Sequence, residues 1–353
     1  MIWTFVILVL QNVNLVFGVS SRSLIEEAND VYSRSFGQDL IDNKFLIPGK
    51  TEFEQFKIAF NKSYASDEEN AARYRNFRVN SIVAQAIQRN DKGTAKYGDT
   101  VYSDMSHEEF NSFYHSLQFD QETFSRLESM DENRFVAFNK TTMPREFDWR
   151  DHNAVTDVKN QGQCGSCWSF STTGNIEGQY AIKTRQLISL SEKQLVDCDN
   201  HDAGCGGGLP QRAMKFVLEQ GGLESEEAYP YQPREDQCQF DPEKVAVRIS
   251  GYHRLSSHED EMAEWCALHG PISVALNAHA MQYYKGGISH PNGCNPWGLN
   301  HAVLIVGYGV EDSVEYWIVK NSWGSRWGED GYYRLFRGAG ACGINRQTYS
   351  VVI

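Results

Sequence analysis

Two cysteines stand three residues apart in Gln161-Gly-Gln-Cys164-Gly-Ser-Cys167-Trp168-Ser-Phe170. Such a pair can be a redox couple, half of a zinc site, or a reactive thiol with a neighbour. A redox couple expects a strand before it and a βαβ setting, whereas Gln161 and Gly162 precede this one. A structural zinc site needs a second close pair, and Cys198 and Cys205 stand seven apart. A nucleophile fits better. Residues 167–183 read as a helix that Ser166 can cap, so Cys167 sits against the positive end of the helix dipole, which favours thiolate. A thiolate needs a base. His301, in Asn300-His301-Ala302-Val303, opens an apolar strand 134 residues after Cys167. Asn321, in Asn321-Ser322-Trp323-Gly324, follows 20 residues later. Alone, the histidine would be a packed residue and the asparagine a turn; their order carries the meaning.

Four motifs, 161–170, 204–210, 300–309 and 321–324, occur in the order and spacing of the papain-like cysteine proteases. The chain resembles that family over nearly its whole length. The resemblance implies Cys167 as nucleophile, His301 as its partner in a thiolate–imidazolium pair, and Asn321 as the amide that holds the imidazole without adding charge. Trp323 would shield the His301–Asn321 bond, and Gln161 would donate to the oxyanion with the Cys167 amide. It also implies a specificity pocket walled by Leu209, Pro210, Ala275, Leu299 and Ala302, with Gln347 near the floor. Gly206-Gly207-Gly208 offers an edge without side chains on which a substrate backbone could pair.

The eight cysteines all lie between Cys164 and Cys342. Resemblance pairs them as Cys164–Cys205, Cys198–Cys238 and Cys294–Cys342. That leaves Cys167 for chemistry and Cys266 as a buried, inert thiol.

Further back, Phe53, Phe56 and Phe60 share one face of a helix, and residues 67–90 form a second with Tyr74, Phe77 and Ile82 as anchors. The series Glu69, Arg73, Phe77, Asn80, Ala84, Gln88 resembles the inhibitory propeptide helix of the cathepsin F-like branch. Gly98, Thr100, Tyr102 and Asp104 resemble the second propeptide motif. About 30 residues separate a leader from these helices, too few for the long cystatin-like extension of vertebrate cathepsin F. Residues 106–140 read as an extended linker.

Beyond residue 143 the texture changes to glycine-rich turns, cysteines and β-branched runs. Helices are expected at 167–183, after Ser191 (a capping box with Gln194), at 209–220 and at 259–269. Strands are expected at 272–276, 302–306, 316–319 and 332–336. The fold class is therefore α+β, with a helical lobe over about 155–254 and, by resemblance, a β-barrel-like lobe over about 255–349.

The expected organisation is a signal peptide at 1–19, an inhibitory propeptide at 20–143 and a peptidase domain at 144–353. The leader is apolar from Ile2 to Leu10 apart from Thr4, too short to span a bilayer, with Val16 and Gly18 before a cut. A secreted or lysosomal-type endopeptidase zymogen follows. Its sequons lie at Asn61 and Asn139. It needs no cofactor or metal. Partners would be protein and peptide substrates, its own propeptide and cystatin-type inhibitors, and the chain would be a monomer. With 33 basic against 46 acidic residues, the net charge of −13 argues against nucleic acid or an anionic membrane. Rival classes on the same residues are a silent binding protein and a secreted thiol–disulfide oxidoreductase using Cys164 and Cys167.

Overall fold

The structure is a computed structural model that describes residues 20–40, 44–114, 117 and 144–353. The leader at 1–19, the sequon at Asn139 and the 143/144 boundary lie outside or at the edge of the described residues.

Aromatic spacing builds the first layer. Phe53 and Phe56, buried on one face of the Lys50–Phe60 helix, meet Phe77 of the Asp67–Asn90 helix at centroid distances of 5.4 and 5.0 Å. Ser66 caps the longer helix by accepting from the Glu69 amide, and Asp67, Glu68 and Glu69 sit at its positive end. The helix motif then organises the chain beyond it. Arg73 pairs with Glu109 at 2.7 Å, and Asn80 Nδ2 donates to the carbonyls of Ser103 and Met105. Gln88 holds the backbone of Ala95 and Tyr97, and Asp104 accepts from Lys62 and Tyr64.

Two elements depart from expectation. A helix at Ser21–Phe36 lies along the Asp67–Asn90 helix and buries Leu24, Ala28, Val31, Tyr32 and Phe36. Within the supposed linker, His107–Tyr114 is a helix, because Ser106 caps it through the Glu109 amide and Phe110 and Tyr114 have an aromatic wall to bury against.

Helices Cys167–Thr184, Glu192–Cys198 and Pro210–Gln220 form one lobe. The first packs against the strand His301–Glu311 because it presents glycine there: a Cβ on Gly174 would stand 3.0 Å from the Leu304 side chain. Ser191 caps the second helix, but Gln194 does not close a capping box. Its amide instead donates to the Gly222 carbonyl and accepts from the Glu224 amide.

In the other lobe the strand order is Gly251–Arg254, Thr348–Val352, Ile272–Leu276, His301–Glu311, Val314–Lys320, Tyr332–Phe336, Ile288–Ser289. Phe147–Asp148 also pairs with the central 301–311 strand. Among the described residues the two end strands do not pair, so the barrel-like lobe stays unclosed. The helix Glu259–His269 packs on it, and Trp149 Nε1 donates to the Cys266 carbonyl at its last turn.

A buried charge network joins the lobes. Lys159 Nζ lies 2.8 Å from Glu192 and 3.3 Å from Glu177, both carboxylates almost wholly out of water. Thr156 and Thr173 donate to Glu177 and Glu192, and Lys320 from the sheet donates to Thr156. A network satisfied this fully fixes geometry, and removing one member strands the others. Replacing Lys159 by Met should therefore destabilise the chain by roughly 3–5 kcal/mol. Thermal or urea unfolding of the purified protein checks this, and an unchanged midpoint would contradict it.

Candidate active site

The site lies where the Cys167 helix start meets the strand beginning at His301. Ser166 occupies the cap position but makes no side-chain cap bond; its hydroxyl pairs with Tyr231 at 2.7 Å instead. The Cys167 side chain is buried, and the Ala302 amide approaches its Sγ at 3.4 Å. The helix is pinned to the strand below this point, where Ser171 Oγ donates to the Val303 carbonyl at 2.7 Å.

His301 Nε2 is 2.8 Å from Asn321 Oδ1, and Asn321 Oδ1 also accepts from the Ser322 amide. The Trp323 ring lies over the imidazole at 4.9 Å between centroids. Nδ1, the nitrogen turned away from Asn321, is buried. Burial pushes the imidazole down to about 4, against the lifting effects of Asn321 and the Tyr114 carbonyl.

Gln161 is held on both sides. Its amide donates to the Ser322 carbonyl, its Oε1 accepts from Ser322 Oγ, and Tyr231 Oη donates to its carbonyl. Its Nε2 donates to the carbonyls of Cys164 and Phe113. Phe113 belongs to the upstream half of the chain, so a peptide carbonyl from that half occupies the amide's free side.

The described residues of that half lie over the site. Tyr102, Phe110 and Tyr114 pack edge-on against Trp323 at 5.4–5.5 Å. The Leu117 amide donates to the Asn300 carbonyl at 3.1 Å, and its side chain is buried in a cluster with Leu209, Ala275, Leu299 and Ala302. The expected pocket walls thus come together, with Pro210 buried at the head of its helix. Gln347 is 1% exposed; its Oε1 accepts from Tyr349 Oη, and its Nε2 is buried without a partner. Gly208 packs against the residue after Cys167: a Cβ on it would stand 2.6 Å from the Trp168 ring.

Disulfides join Cys164–Cys205, Cys198–Cys238 and Cys294–Cys342. Cys164 is thus bonded away from Cys167, which removes the redox-couple geometry. Cys266 is buried, and burial pushes its thiol far up. Sequence reasoning missed Tyr231, Ser322, Phe113 and Leu117, whose roles depend on contacts 48 or more residues away along the chain.

This arrangement can attack a carbonyl, stabilise the oxyanion and protonate a leaving amine. Residues 143–352 match the papain family cysteine protease domain, and residues 53–110 match the cathepsin propeptide inhibitor domain. Cathepsin F of Mus musculus is 45% identical over 318 residues, covering 90% of this chain and 68% of that protein. Cathepsin F of Drosophila melanogaster is 44% identical over 85% of this chain, which spans only 50% of the fly protein. Digestive procathepsin L2 from Tenebrio molitor larval midgut superposes with a TM-score of 0.78 at 35% identity, covering 86% of this chain and 99% of that one. The chain belongs to the papain family of cysteine proteases and carries a cathepsin propeptide inhibitor domain ahead of its protease domain.

Proposed function

We propose that the chain is the zymogen of a cysteine endopeptidase that passes through the secretory pathway to a lysosome-type compartment or the outside. The observation that carries this is the Cys167–His301–Asn321 arrangement lying under a chain segment whose Phe113 carbonyl rests on Gln161. Cys167 would attack the peptide carbonyl as thiolate. His301 would give its proton to the leaving amine, and water would release the acyl group with His301 as base. Gln161 Nε2 and the Cys167 amide would hold the oxyanion, a contribution of about 10²–10³ in rate per donor. Protein and peptide substrates would replace Phe113 and Leu117 at the site. Cystatin-type inhibitors and a monomeric state follow from resemblance. Asn61, exposed at a helix end, suits glycosylation, and Asn139 is the second candidate.

Replacing Cys167 by Ser should abolish hydrolysis with the fold intact, while Cys266→Ser should keep most of the activity. An active Cys167→Ser enzyme beside a dead Cys266→Ser enzyme would contradict the assignment.

Acid should release Phe113 and Leu117. On the helix that bears Phe113, His107 stacks on His279 of the protease half at 5.8 Å. Burial lowers both imidazoles; His279 goes down to about 3, helped by His107. Around His107, Glu108 and Asp30 favour its charged form and Arg34 opposes it. An imidazole depressed in the docked state supports docking above its free value of about 6.5, and that support is lost as pH falls through the docked values. His107→Gln should thus move the midpoint of self-processing to lower pH by roughly half a unit or more. An unmoved midpoint would remove this pair from the trigger.

The pocket should accept Leu, Val or Phe, a burial worth roughly 1.5–3 kcal/mol. Leu-Arg substrates should be cut much faster than Arg-Arg ones. Gln347→Glu should raise Arg-Arg cleavage about tenfold or more, as a charge-assisted bond to guanidinium contributes roughly 1.5–3 kcal/mol. Unchanged kinetics would remove Gln347 from the pocket, and a wild-type preference for Arg-Arg would overturn the apolar pocket itself.

A further inference from the structure

The loop leading into the Pro210–Gln220 helix contains two aspartates that none of the chemistry above uses. The Asp202 side chain has 0% exposure, and Asp199 is 6% exposed. Asp202 Oδ1 accepts from the Leu209 amide at 3.0 Å, and Asp199 Oδ1 accepts from the His201 amide at 2.8 Å. Both Oδ2 atoms are buried without a hydrogen-bond partner, and the Asp199 charge acts on Asp202.

Two carboxylates side by side out of water repel, whereas one shared proton turns the contact into a hydrogen bond. The neighbouring charges do not substitute for that proton. Arg212 is the cation beside Asp202, at 3.7 Å and partly in solvent. The His201 ring turns to Glu219 at 2.9 Å, and Lys215 also faces Glu219. Arg212 equally disfavours a metal ion between the carboxyls.

Asp202 sits beneath the edge a substrate would use. A Cβ on Gly208 would stand 2.7 Å from Asp202 Cγ and 2.6 Å from the ring of Trp168, the residue after Cys167. Trp168 Nε1 donates to the Gly204 carbonyl, and the Ala203 amide donates to the Gly207 carbonyl. The Asp202 side chain thus supports Leu209 and lies against Gly208, while the backbone next to it, at Ala203, holds Gly207.

We propose that Asp202 is a positioning residue for peptide substrates, held protonated against Asp199, and that losing the shared proton loosens the Gly207–Leu209 edge and weakens substrate binding. The proposal rests on the protease reading for its substrate. Burial and the Asp199 charge push Asp202 up to about 8, and burial raises Asp199 as well. A carboxyl raised in the ordered loop favours that loop fully below its free value of about 3.9, and the support is lost as pH rises through the raised value.

Asn at position 202 keeps the protonated geometry at every pH: Oδ1 accepts from Leu209 and Nδ2 donates to Asp199. Amide exchange at Leu209 is first measured in the full-length chain carrying Cys167→Ser, which stays intact. Protection, corrected for intrinsic rates, should fall from about pH 6 to about pH 8.5, and Asp202→Asn should remove the fall. Peptide kinetics follow on enzyme matured in acid from the full-length precursor. Wild-type KM should rise at least about fivefold from about pH 5.5 to about pH 8. In Asp202→Asn it should rise less than about twofold, and in Asp202→Ala it should be high at both. Parallel loss of protection or parallel rises in KM for wild type and Asp202→Asn would overturn the proposal. So would an Asp202→Asn enzyme already impaired in acid. A wild type without hydrolysis but with the expected exchange behaviour would instead contradict the protease reading.

Discussion

Burial of one imidazole governs this molecule. His301 sits at the first residue of the longest described strand, under Trp323, with Asn321 on one nitrogen. Everything around it serves to fix that ring and decide whether it carries a proton. The sheet supplies the strand, the Cys167 helix is pinned to it through Ser171 and Val303, and the Lys159 network holds the lobes at fixed separation. The upstream half supplies the dry lid. Aromatic rings Tyr102, Phe110 and Tyr114 close over Trp323 and remove the water that a charged imidazole would need.

Inhibition in this structure therefore has two physical parts. One is occupancy: Leu117 packs with Leu209, Ala275, Leu299 and Ala302, and the Phe113 carbonyl takes the Gln161 side-chain amide. The other is dielectric: burial disfavours the charged form of His301. The residues of both motifs act at a distance, since Arg73, Asn80 and Gln88 of the helix and Asp104 beyond it shape the chain that carries the lid through their hydrogen bonds.

Much of this was legible in the sequence where one face or one cap decides the outcome. The Asp67–Asn90, Glu259–His269, Ile272–Leu276 and Tyr332–Phe336 elements match their expected bounds. The Ser21–Phe36 helix carries the same signal, with Leu24, Ala28, Val31, Tyr32 and Phe36 on one face. Other features depend on distant partners. Ser166 fails as a cap because Tyr231, 65 residues on, takes its hydroxyl. Gln194 leaves its capping box for Gly222 and Glu224. His107–Tyr114 is short and polar, and is a helix because its two aromatics find Trp323. Closure of a sheet is a property of its end strands, so motif resemblance could not distinguish an open sheet from a barrel. Resemblance named Leu209, Ala275, Leu299 and Ala302, which share one buried cluster, whereas the Leu117 side chain packed among them was not legible.

The most direct measurement is the titration of His301 by nitrogen-edited NMR in the precursor and again after acid has removed the upstream half. In the precursor the ring should stay neutral down to about pH 5, because burial holds it near 4. With the lid gone and Cys167 ionised beside it, the ring should be charged at neutral pH. The same titration in both forms would contradict a lid that controls protonation, and a charged ring in the intact precursor at neutral pH would contradict it outright.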